Sequence, residues 1–163
     1  MKINDKVAFI TGGSGGLGSV IALRLAASGA NIAISYGQNL AMAKEIKAQI
    51  IAMGRKCCIL EMDQRVPQSI VNSVNHIVSE LGTIDILVNN AAWNAAVPFK
   101  DLDALTPELW DRMHETNLRG PFLVTRACAS HLRKNKMGRV INISAFIGLS
   151  AEGSSIAHAT AKA

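Results

Sequence analysis

The chain is organised around Thr11-Gly12-Gly13-Ser14-Gly15-Gly16-Leu17-Gly18. An apolar run, Val7-Ala8-Phe9-Ile10, precedes this stretch, and residues 19–28 continue it with helical periodicity. The pattern predicts a strand, a glycine-rich turn and the start of a helix, in that order. Glycine lets the backbone turn tightly and approach a pyrophosphate, and the new helix offers free N–H groups to the anion. The stretch therefore predicts the phosphate-binding corner of a dinucleotide fold.

Two glycine spacings overlap in this corner. Gly13, Gly15 and Gly18 fit G-x-G-x-x-G, whereas Gly12, Gly16 and Gly18 fit T-G-x-x-x-G-x-G. A glycine-rich turn on its own also suits a flexible loop. Its position between a predicted strand and a predicted helix favours the nucleotide site.

Length and composition favour one globular domain over residues 1–163. The chain has 163 residues, 49% of them hydrophobic and 18% charged, which suits a sizeable core. The net charge is +5, but basic and acidic residues are interspersed and aromatic residues make up only 4%. A nucleic-acid partner is therefore not expected.

Cysteine usage and the N-terminus indicate a location. The three cysteines have no C-x-x-C spacing and no accompanying histidine pattern, so we predict no metal site. The first six residues are too polar for a signal peptide, and no window approaches the length of a membrane span. We expect a cytoplasmic protein without a membrane partner.

Short apolar runs alternate with longer amphipathic ones along the chain. The predicted strands are Val7–Thr11, Asn31–Tyr36, Cys57–Met62, Ile84–Asn89 and Arg139–Ser144. The predicted helices are Gly16–Ser28, Leu40–Met53, Gln68–Leu81 and Thr106–Asn135, with a further helix near Ser154. This alternation predicts an α/β fold with a doubly wound parallel sheet of order 3-2-1-4-5. The ligand should lie at the carboxyl ends of strands one and four, where the winding reverses.

The ends of the strands carry the candidate cofactor contacts. The second strand ends in Ser35-Tyr36-Gly37-Gln38-Asn39, which contains neither an acid for ribose hydroxyls nor a base for a 2′-phosphate. NADP(H) is slightly favoured over NAD(H), because no acid repels its phosphate. Asp63 follows the third strand and either accepts a hydrogen bond from the adenine amino group or caps a turn. Asn89-Asn90-Ala91-Ala92 follows the fourth strand and either ties it to the first or forms an ordinary turn.

Two later segments contain candidate catalytic residues. Asn117 lies in the middle of a predicted helix, and Pro121 should disturb a backbone hydrogen bond near it and leave a carbonyl free to hold water. His158 and Lys162 are spaced i, i+4 and hence share one helix face. They are either a proton-transfer pair or two exposed polar residues.

Together these stretches resemble the short-chain dehydrogenase/reductase family, especially its ketoreductase and sugar or alcohol dehydrogenase branches. The resemblance extends from Lys6 to the end and includes residues 138–144 and 159–162. It implies a Rossmann-type fold, an NAD(P)(H) cofactor, and hydride transfer between nicotinamide and a small-molecule carbonyl or secondary alcohol. The residues expected at the cofactor are Thr11, Gly12, Ser14, Gly15, Gly16, Leu17, Gly18, Tyr36, Asp63, Asn89, Ala91 and Lys162.

In that family an asparagine, a serine, a tyrosine and a lysine carry out the chemistry. Asn117 and Lys162 match two of these positions, but the tyrosine position is His158 and the serine position is Ala145. Ser144 replaces the missing hydroxyl only if the strand register shifts by one. The resemblance therefore predicts an oxidoreductase whose catalysis is impaired in this chain.

Length is a second departure from the family. The chain stops one residue after Lys162, whereas family members continue through another helix, further strands and a substrate-binding loop. We expect a fragment or a truncated product whose sheet is incomplete at its C-terminal edge. The resemblance also implies a homo-oligomer. The alternative is a non-catalytic nucleotide-binding or assembly module derived from the family.

Overall fold

The computed structural model describes residues 3–150, 153 and 155–163. Its strands are β1 Val7–Ile10, β2 Asn31–Tyr36, β3 Cys57–Glu61, β4 Ile86–Asn89 and β5 Arg139–Asn142. Its α-helices are α1 Gly16–Ala27, α2 Leu40–Ala52, α3 Pro67–Leu81, α4 Pro107–His114, α5 Gly120–Lys134 and α6 Ile156–Lys162. A π-helical segment, Glu115–Arg119, joins α4 to α5, and a 3₁₀ turn, Phe146–Gly148, follows β5.

The strands form one parallel sheet in the order β3-β2-β1-β4-β5. This confirms the predicted doubly wound, Rossmann-type architecture and its strand order. β1 pairs with β2 on one side and with β4 on the other. The carboxyl ends of β1 and β4 are therefore adjacent where the winding reverses, which is where open α/β sheets bind ligands.

Alternate residues of the central strands face two separate cores. Ile10 and Ile34 pack on one face with the alanines and isoleucines of α1 and α2. Phe9 and Leu87 pack on the other face with α3 and α5. All four side chains are fully buried, and burying an aliphatic or aromatic side chain of this size contributes about 1.5–3 kcal/mol. Cover on both faces explains why these strands are continuous apolar runs.

The observed strands are shorter than predicted at several ends. β1 stops before Thr11, β3 before Met62, and β5 before Ile143 and Ser144. β4 begins at Ile86 instead of Ile84, and the carboxylate of Asp85 just before it accepts a hydrogen bond from the Val7 amide. Apolar character continues past the paired residues, so hydropathy alone does not mark where pairing ends.

The single helix predicted over residues 106–135 is divided by the π segment, which we call the π turn. The amide of Gly120 donates to the carbonyl of Glu115, five residues back, instead of to Thr116. Pro121 has no N–H group, so regular α-helical bonding cannot continue across this point. The disturbance that Pro121 predicts near Asn117 is present as this wider turn.

The last elements lie at one edge of the sheet. All four residues of β5 are exposed, and the Val140 and Ile141 side chains retain 42% and 46% of their surface. The helix predicted near Ser154 begins at Ile156, and Ser154 itself lies outside the described residues. α6 packs against α4, the π turn and the 3₁₀ turn. Within the described ranges, none of the helices combines the length and the apolar character that crossing a membrane requires.

Candidate functional site

The glycine turn is tightly packed at some positions and open at another. A Cβ added to Gly12 would lie 2.9 Å from the Ala91 Cα, and one added to Gly18 would lie 2.7 Å from the Asn90 Nδ2. Gly12 also has a φ of +63°, which L side chains rarely adopt. A Cβ at Gly16 would meet no atom of the described residues within 4 Å outside its own turn of helix. Gly12 and Gly18 therefore let the glycine turn pack closely against the residues that follow β4, whereas Gly16 leaves space at the start of α1.

The N-terminus of α1 suits an anion. The N-cap residue is Gly15, which provides no side-chain hydrogen bond to the first turn, and that turn contains no acidic residue. The first amides of a helix have no partner within the helix, and its dipole favours negative charge there. A pyrophosphate would supply both the acceptors and the charge.

Thr11 and Asn90 form the support beneath this corner. The Thr11 hydroxyl oxygen accepts hydrogen bonds from the amides of Asn90 and Ala91, at 3.0 and 2.9 Å. The Asn90 side-chain amide donates to the carbonyls of Thr11 and Gly12, at 2.9 and 3.2 Å. These bonds tie the end of β4 to the end of β1. Thr11, predicted at the cofactor, is fully buried and does not line the cleft.

Asn89, also predicted at the cofactor, faces away from the glycine turn. Its amide nitrogen donates to the Thr125 hydroxyl on α5 and to the Asn142 side chain on β5, at 3.0 and 2.8 Å. Its exposed fraction is 3%, and it is not among the residues that line the cleft. Asn89 therefore joins β4 to β5, whereas Asn90 joins β4 to β1.

A cleft of about 850 Å³ opens at the carboxyl edge of the sheet. Its walls include the remaining predicted contacts and several residues that were not predicted. The Ser35 hydroxyl accepts a hydrogen bond from the Gly12 amide at 3.0 Å and ties β2 to the glycine turn. The predicted lining residues are Gly12, Ser14, Gly15, Gly16, Leu17, Gly18, Tyr36, Asp63 and Ala91.

Asp63 lines the cleft as one half of an ion pair with Arg65. The guanidinium donates from Nε to Oδ1 at 3.0 Å and from Nη2 to Oδ2 at 2.6 Å. The Arg65 amide also donates to Oδ1 at 2.9 Å, which is the turn-capping role considered for Asp63. The hydrogen bonds from the Arg65 side chain lower the pKa of Asp63, so its carboxyl group is ionised. The local charge of Asp63 is therefore largely balanced within the cleft.

Gln64, Arg65, Trp93 and Arg112 line the cleft but were missed by sequence reasoning. The Arg112 guanidinium carbon lies 4.1 Å from the centroid of the Trp93 ring, a cation–π contact. Position was the available signal for two of them, because Arg65 and Trp93 come shortly after the ends of β3 and β4. Arg112 lies on α4, far along the sequence, and no local pattern indicates its contact with Trp93.

Asn117 fixes the loop that follows β4. Its Oδ1 accepts a hydrogen bond from the Trp93 amide at 2.9 Å, and its Nδ2 donates to the Trp93 carbonyl at 2.7 Å. Asn117 is buried within the π turn and does not line the cleft. Its side chain therefore positions the wall of the cleft through the Trp93 backbone.

Lys162 and His158 lie on α6, whose first turn is capped by the Ser155 hydroxyl. The Lys162 ammonium donates a hydrogen bond to the Ile143 carbonyl at 2.7 Å, and burial lowers the pKa of Lys162. Burial, and secondarily the Lys162 charge, lower the pKa of His158. Its Nδ1 is buried and hydrogen bonds to no group in the described part of the chain. Lys162, predicted also at the cofactor, is not among the cleft-lining residues.

The serine position of the family has no hydroxyl in this chain. Ala145 is half-buried and precedes the 3₁₀ turn. The neighbouring Ser144 lies beyond the end of β5, and its hydroxyl donates to the Lys162 carbonyl. The Ser144 hydroxyl thus binds the end of α6. The π turn that contains Asn117 packs against the helix that carries His158 and Lys162.

The cysteines pack as small apolar side chains. Burial raises the pKa of Cys57 and of Cys128 to about 12, so both remain thiols at neutral pH. Cys58 is buried as well. Over residues 3–150, 153 and 155–163, no group of three or more histidine, cysteine or acidic side chains is arranged to hold a metal ion.

Comparisons with known proteins agree with this geometry. The family profile described as short chain dehydrogenase matches residues 6–163. The short-chain dehydrogenase/reductase FrzI of a Cladobotryum species is 35% identical over 162 residues, which are 98% of this chain and 60% of that protein. A short chain dehydrogenase from Burkholderia cenocepacia J2315, solved in complex with NADP, is 32% identical with a TM-score of 0.90, covering 99% of this chain and 64% of that one.

A further solved structure, NAD⁺-bound xylitol dehydrogenase, has a TM-score of 0.91 at 26% identity, covering 99% of this chain and 61% of that one. The chain thus spans about three fifths of the length of these relatives. One of the two solved relatives holds NADP and the other NAD⁺. Since the family profile matches all but the first five residues, the chain belongs to the short-chain dehydrogenase family.

Proposed function

We propose that the chain binds a nicotinamide dinucleotide in the cleft and forms the cofactor-binding part of an oxidoreductase for small-molecule carbonyls and secondary alcohols. The glycine turn is the observation that carries this proposal. Its inner positions, Gly12 and Gly18, have no room for a side chain, and the N-terminus of α1 is open at Gly16. We further propose that residues 1–163 act as one dinucleotide-binding domain.

Each wall of the cleft has a role in this proposal. The first turn of α1 holds the pyrophosphate, and the end of β2 at Tyr36 borders the adenosine ribose. Asp63 accepts from the adenine amino group in competition with Arg65, whose four hydrogen bonds already reach both carboxylate oxygens. The bound nicotinamide supplies the hydride acceptor or donor. Ala91 and the Trp93 backbone, fixed by Asn117, border the cleft beyond the pyrophosphate.

The groups on α6 support slow proton transfer. His158 stands where the family resemblance implies the tyrosine that exchanges a proton with the substrate oxygen. An imidazole can donate a proton, but its lowered pKa makes the charged form scarce at neutral pH. Ala145 provides no hydroxyl to hold the substrate oxygen, and the Ser144 hydroxyl is bound to the Lys162 carbonyl. We infer that catalysis by this chain is impaired.

We propose a modest preference for NADP(H). Gly37, Gln38 and Asn39 follow β2, so no carboxylate at this point repels a 2′-phosphate. The ion pair with Arg65 balances the charge of Asp63, and Arg112 adds a further positive charge to the cleft. Glu61 also lines the cleft and opposes the preference, which is why we expect it to be small.

The proposal is tested by titrating the chain with NADPH and with NADH. Trp93 lines the cleft, so bound reduced cofactor should accept excitation energy from it and quench its emission. Trp93→Phe is the matched control, because Trp110 then remains as the reporter outside the cleft. Saturable quenching with tighter NADPH binding supports the proposal. Absence of saturable binding of either dinucleotide would contradict the function, and tighter NADH binding would contradict only the cofactor preference.

A second candidate function is a non-catalytic nucleotide-binding or assembly module. The observation that favours it is the combination of Ala145 with the Nδ1 of His158, which has no partner among the described residues. Turnover of a panel of aldehydes and ketones, measured beside the cofactor titration, separates the two candidates. Saturable binding without detectable turnover supports the module, whereas turnover lost in His158→Ala supports the oxidoreductase.

We also propose that the protein is a cytoplasmic homo-oligomer. Leu118 on the π turn and Phe122 on α5 expose 56% and 62% of their surface and border the same surface pocket. An exposed apolar pair on a helix suits contact with a second copy. Light scattering of the purified chain and of Phe122→Lys tests this. A concentration-dependent oligomer that the variant dissociates supports it, and a monomeric wild type contradicts it.

A further inference from the structure

The π turn leaves the carbonyl of Thr116 without a helical donor. In an α-helix this carbonyl would accept from Gly120, but the Gly120 amide donates to Glu115 instead. The next amide in order, which a π-helix would use, belongs to Pro121 and has no hydrogen. A backbone carbonyl in this position needs a donor from outside the helix.

Gln64 provides that donor. Its Nε2 donates to the Thr116 carbonyl at 2.7 Å and to the Ala91 carbonyl at 3.1 Å. Both partners only accept, so the amide orientation is fixed with Nε2 toward them. The side chain is 5% exposed, and among the described residues Oε1 of the same amide has no partner. The buried side chain is therefore stabilised through its donor end alone.

The fit around Gln64 is close. A Cβ added to Gly120 would lie 2.8 Å from the Gln64 Cγ, so the first residue of α5 has space only for glycine. Gln64 directly follows Asp63 at the end of β3 and reaches both the loop after β4 and the π turn. One side chain thus joins three segments at the cofactor edge of the sheet.

The π turn in turn orients Asn117. Asn117 comes directly after Thr116, and its side chain forms two hydrogen bonds with the Trp93 backbone. A change in the path of the backbone at Thr116 therefore moves the Asn117 amide and, through it, Trp93. Ala91 and Trp93 both line the cleft. Gln64 therefore contacts the cleft wall directly through the Ala91 carbonyl and acts on it indirectly through Thr116, Asn117 and Trp93.

We propose that Gln64 is a positioning residue that holds the π turn and thereby sets the place of Asn117 and Trp93. Its effect on cofactor binding rests on the proposed function. Its effect on the π turn and on Trp93 does not, which allows the two to be tested separately. Gln64 acts through these residues and not by contact with the reacting atoms.

The test uses Gln64→Met, which keeps the length and volume of the side chain but removes the N–H donors. The background is Trp110→Phe, in which Trp93 is the remaining tryptophan and is labelled with fluorine for NMR. Gln64→Met loses both hydrogen bonds of Nε2. We expect the Trp93 signal to shift or split in the folded variant, and NADPH affinity to fall about fivefold as part of their net effect. Gln68→Met, on the exposed face of α3, is the matched control.

Gln64→Glu keeps the inference falsifiable if the methionine variant does not fold. A carboxylate would face two carbonyl oxygens, whereas the protonated acid can donate to one of them. Asp63 and Arg65 flank Gln64 in the chain, and the charges of Arg112 and Glu115 act on Asp63 and Arg65 respectively. We expect the Trp93 signal of Gln64→Glu to approach that of wild type as the pH falls and to depart from it as the pH rises.

Three outcomes are decisive. A Trp93 signal that changes in Gln64→Met, or that follows pH in Gln64→Glu but not in wild type, supports the positioning role. A folded Gln64→Met or Gln64→Glu variant with a lower melting temperature but an unchanged Trp93 signal overturns it. If wild type does not bind NADPH while the Trp93 signal still depends on Gln64, the proposed function fails and the positioning role stands.

Discussion

The Nε2 atom of His114 lies 3.1 Å from the hydroxyl oxygen of Thr160, and this contact joins α4 to α6. The Nδ1 atom lies 3.0 Å from the Trp110 carbonyl, which only accepts, so Nδ1 carries a hydrogen. The His114 ring also stacks on the Trp110 indole, with the centroids 4.3 Å apart. His114 is therefore fixed on α4 and holds the helix that carries His158 and Lys162.

We expect His114→Ala to loosen α6, so that the amides of α6 exchange hydrogen for deuterium faster while those of β1 are unchanged. Thr160→Val removes the hydroxyl at nearly constant shape and should act in the same way. In a double-mutant cycle the two changes should be coupled by about 0.5–1.5 kcal/mol, the net contribution of one hydrogen bond. Strictly additive effects would show that this contact does not hold α6.

The glycine turn allows steric packing and ligand contact to be separated. Gly18→Val would drive a branched side chain into the Gly12 carbonyl and the Asn90 amide, so we expect both a lower melting temperature and no dinucleotide binding. The methyl group of Gly16→Ala meets no described atom within 4 Å outside its own turn of helix, so the variant should fold like wild type. Its methyl group lies at the open start of α1, so we expect weaker NADPH binding with unchanged stability. Wild-type affinity in folded Gly18→Val would exclude the corner as the cofactor site.

Arg65 should control how Asp63 binds adenine. The hydrogen bonds from Arg65 lower the pKa of Asp63 and occupy both of its oxygens. In Arg65→Ala we expect the pKa of Asp63 to rise toward its ordinary value and the adenine amino group to gain the vacated lone pairs. The variant should then discriminate more strongly than wild type between NADPH and its hypoxanthine analogue, which has a carbonyl in place of the amino group. Equal discrimination in the two proteins would argue against an adenine contact at Asp63.

The pKa of His158 predicts a dependence of stability on acid. Its pKa is lowered by burial and by Lys162, so the folded chain holds its proton less tightly than the unfolded chain. The contribution of His158 to the free energy of unfolding is complete at a pH above its ordinary pKa of 6.5 and is lost as the pH falls below that value. On acidification from about pH 7.5 to about pH 5, wild type should therefore lose more stability than His158→Gln, measured by urea unfolding. Parallel losses would show that His158 is unperturbed.

Lys162→Met should change the pKa of His158. Removing the charge takes away the smaller of the two causes, so the pKa of His158 should rise while staying below its ordinary value, because burial remains. Proton NMR of the His158 ring follows this directly. A pKa that falls, or does not move, in Lys162→Met would mean that the ammonium does not act on the imidazole.

Restoring the family residues should restore chemistry if the proposed function is correct. In a form extended to the length of the relatives, we expect His158→Tyr with Ala145→Ser to raise carbonyl reduction by orders of magnitude. A fixed donor to the substrate oxygen accounts for roughly a hundredfold or more of such a gain. His158→Tyr alone should recover the larger share, because no other group transfers the proton. Tight cofactor binding without any gain in the double variant would favour the non-catalytic module.

The sequence was sufficient for the sheet because its signals are local and repeated. Each strand is a short apolar run, and Gly29, Gly54 and Gly82 each come within two residues of the end of a helix. The strand order then follows from parallel connections that wind in two directions. Hydropathy does not mark the last paired residue, so Thr11 and Ser144 were assigned to strands that end before them.

The candidate site was harder to predict from the sequence than the sheet, because its contacts join residues far apart in the chain. The glycine turn and Asp63 were identified from their position after strands, and both line the cleft. Asn89 and Asn90 are adjacent and chemically identical, yet only the geometry shows that one serves β5 and the other β1. The pairing of Gln64 with Thr116 spans fifty-two residues, and no local pattern encodes it.

The π turn also determines the rotation of α5 about its own axis. An α-helix advances about 100° per residue, so the extra residue taken up by a π-helical turn rotates everything after it by about that angle. Val124 and Cys128 reach the core beside Leu87 only in this phase. α-Helical spacing over all five residues would turn both side chains away from the sheet, whereas deleting the exposed Leu118 would remove the extra residue and leave them facing it. The number of residues in this turn, more than their identity, therefore determines which face of α5 is turned toward the sheet.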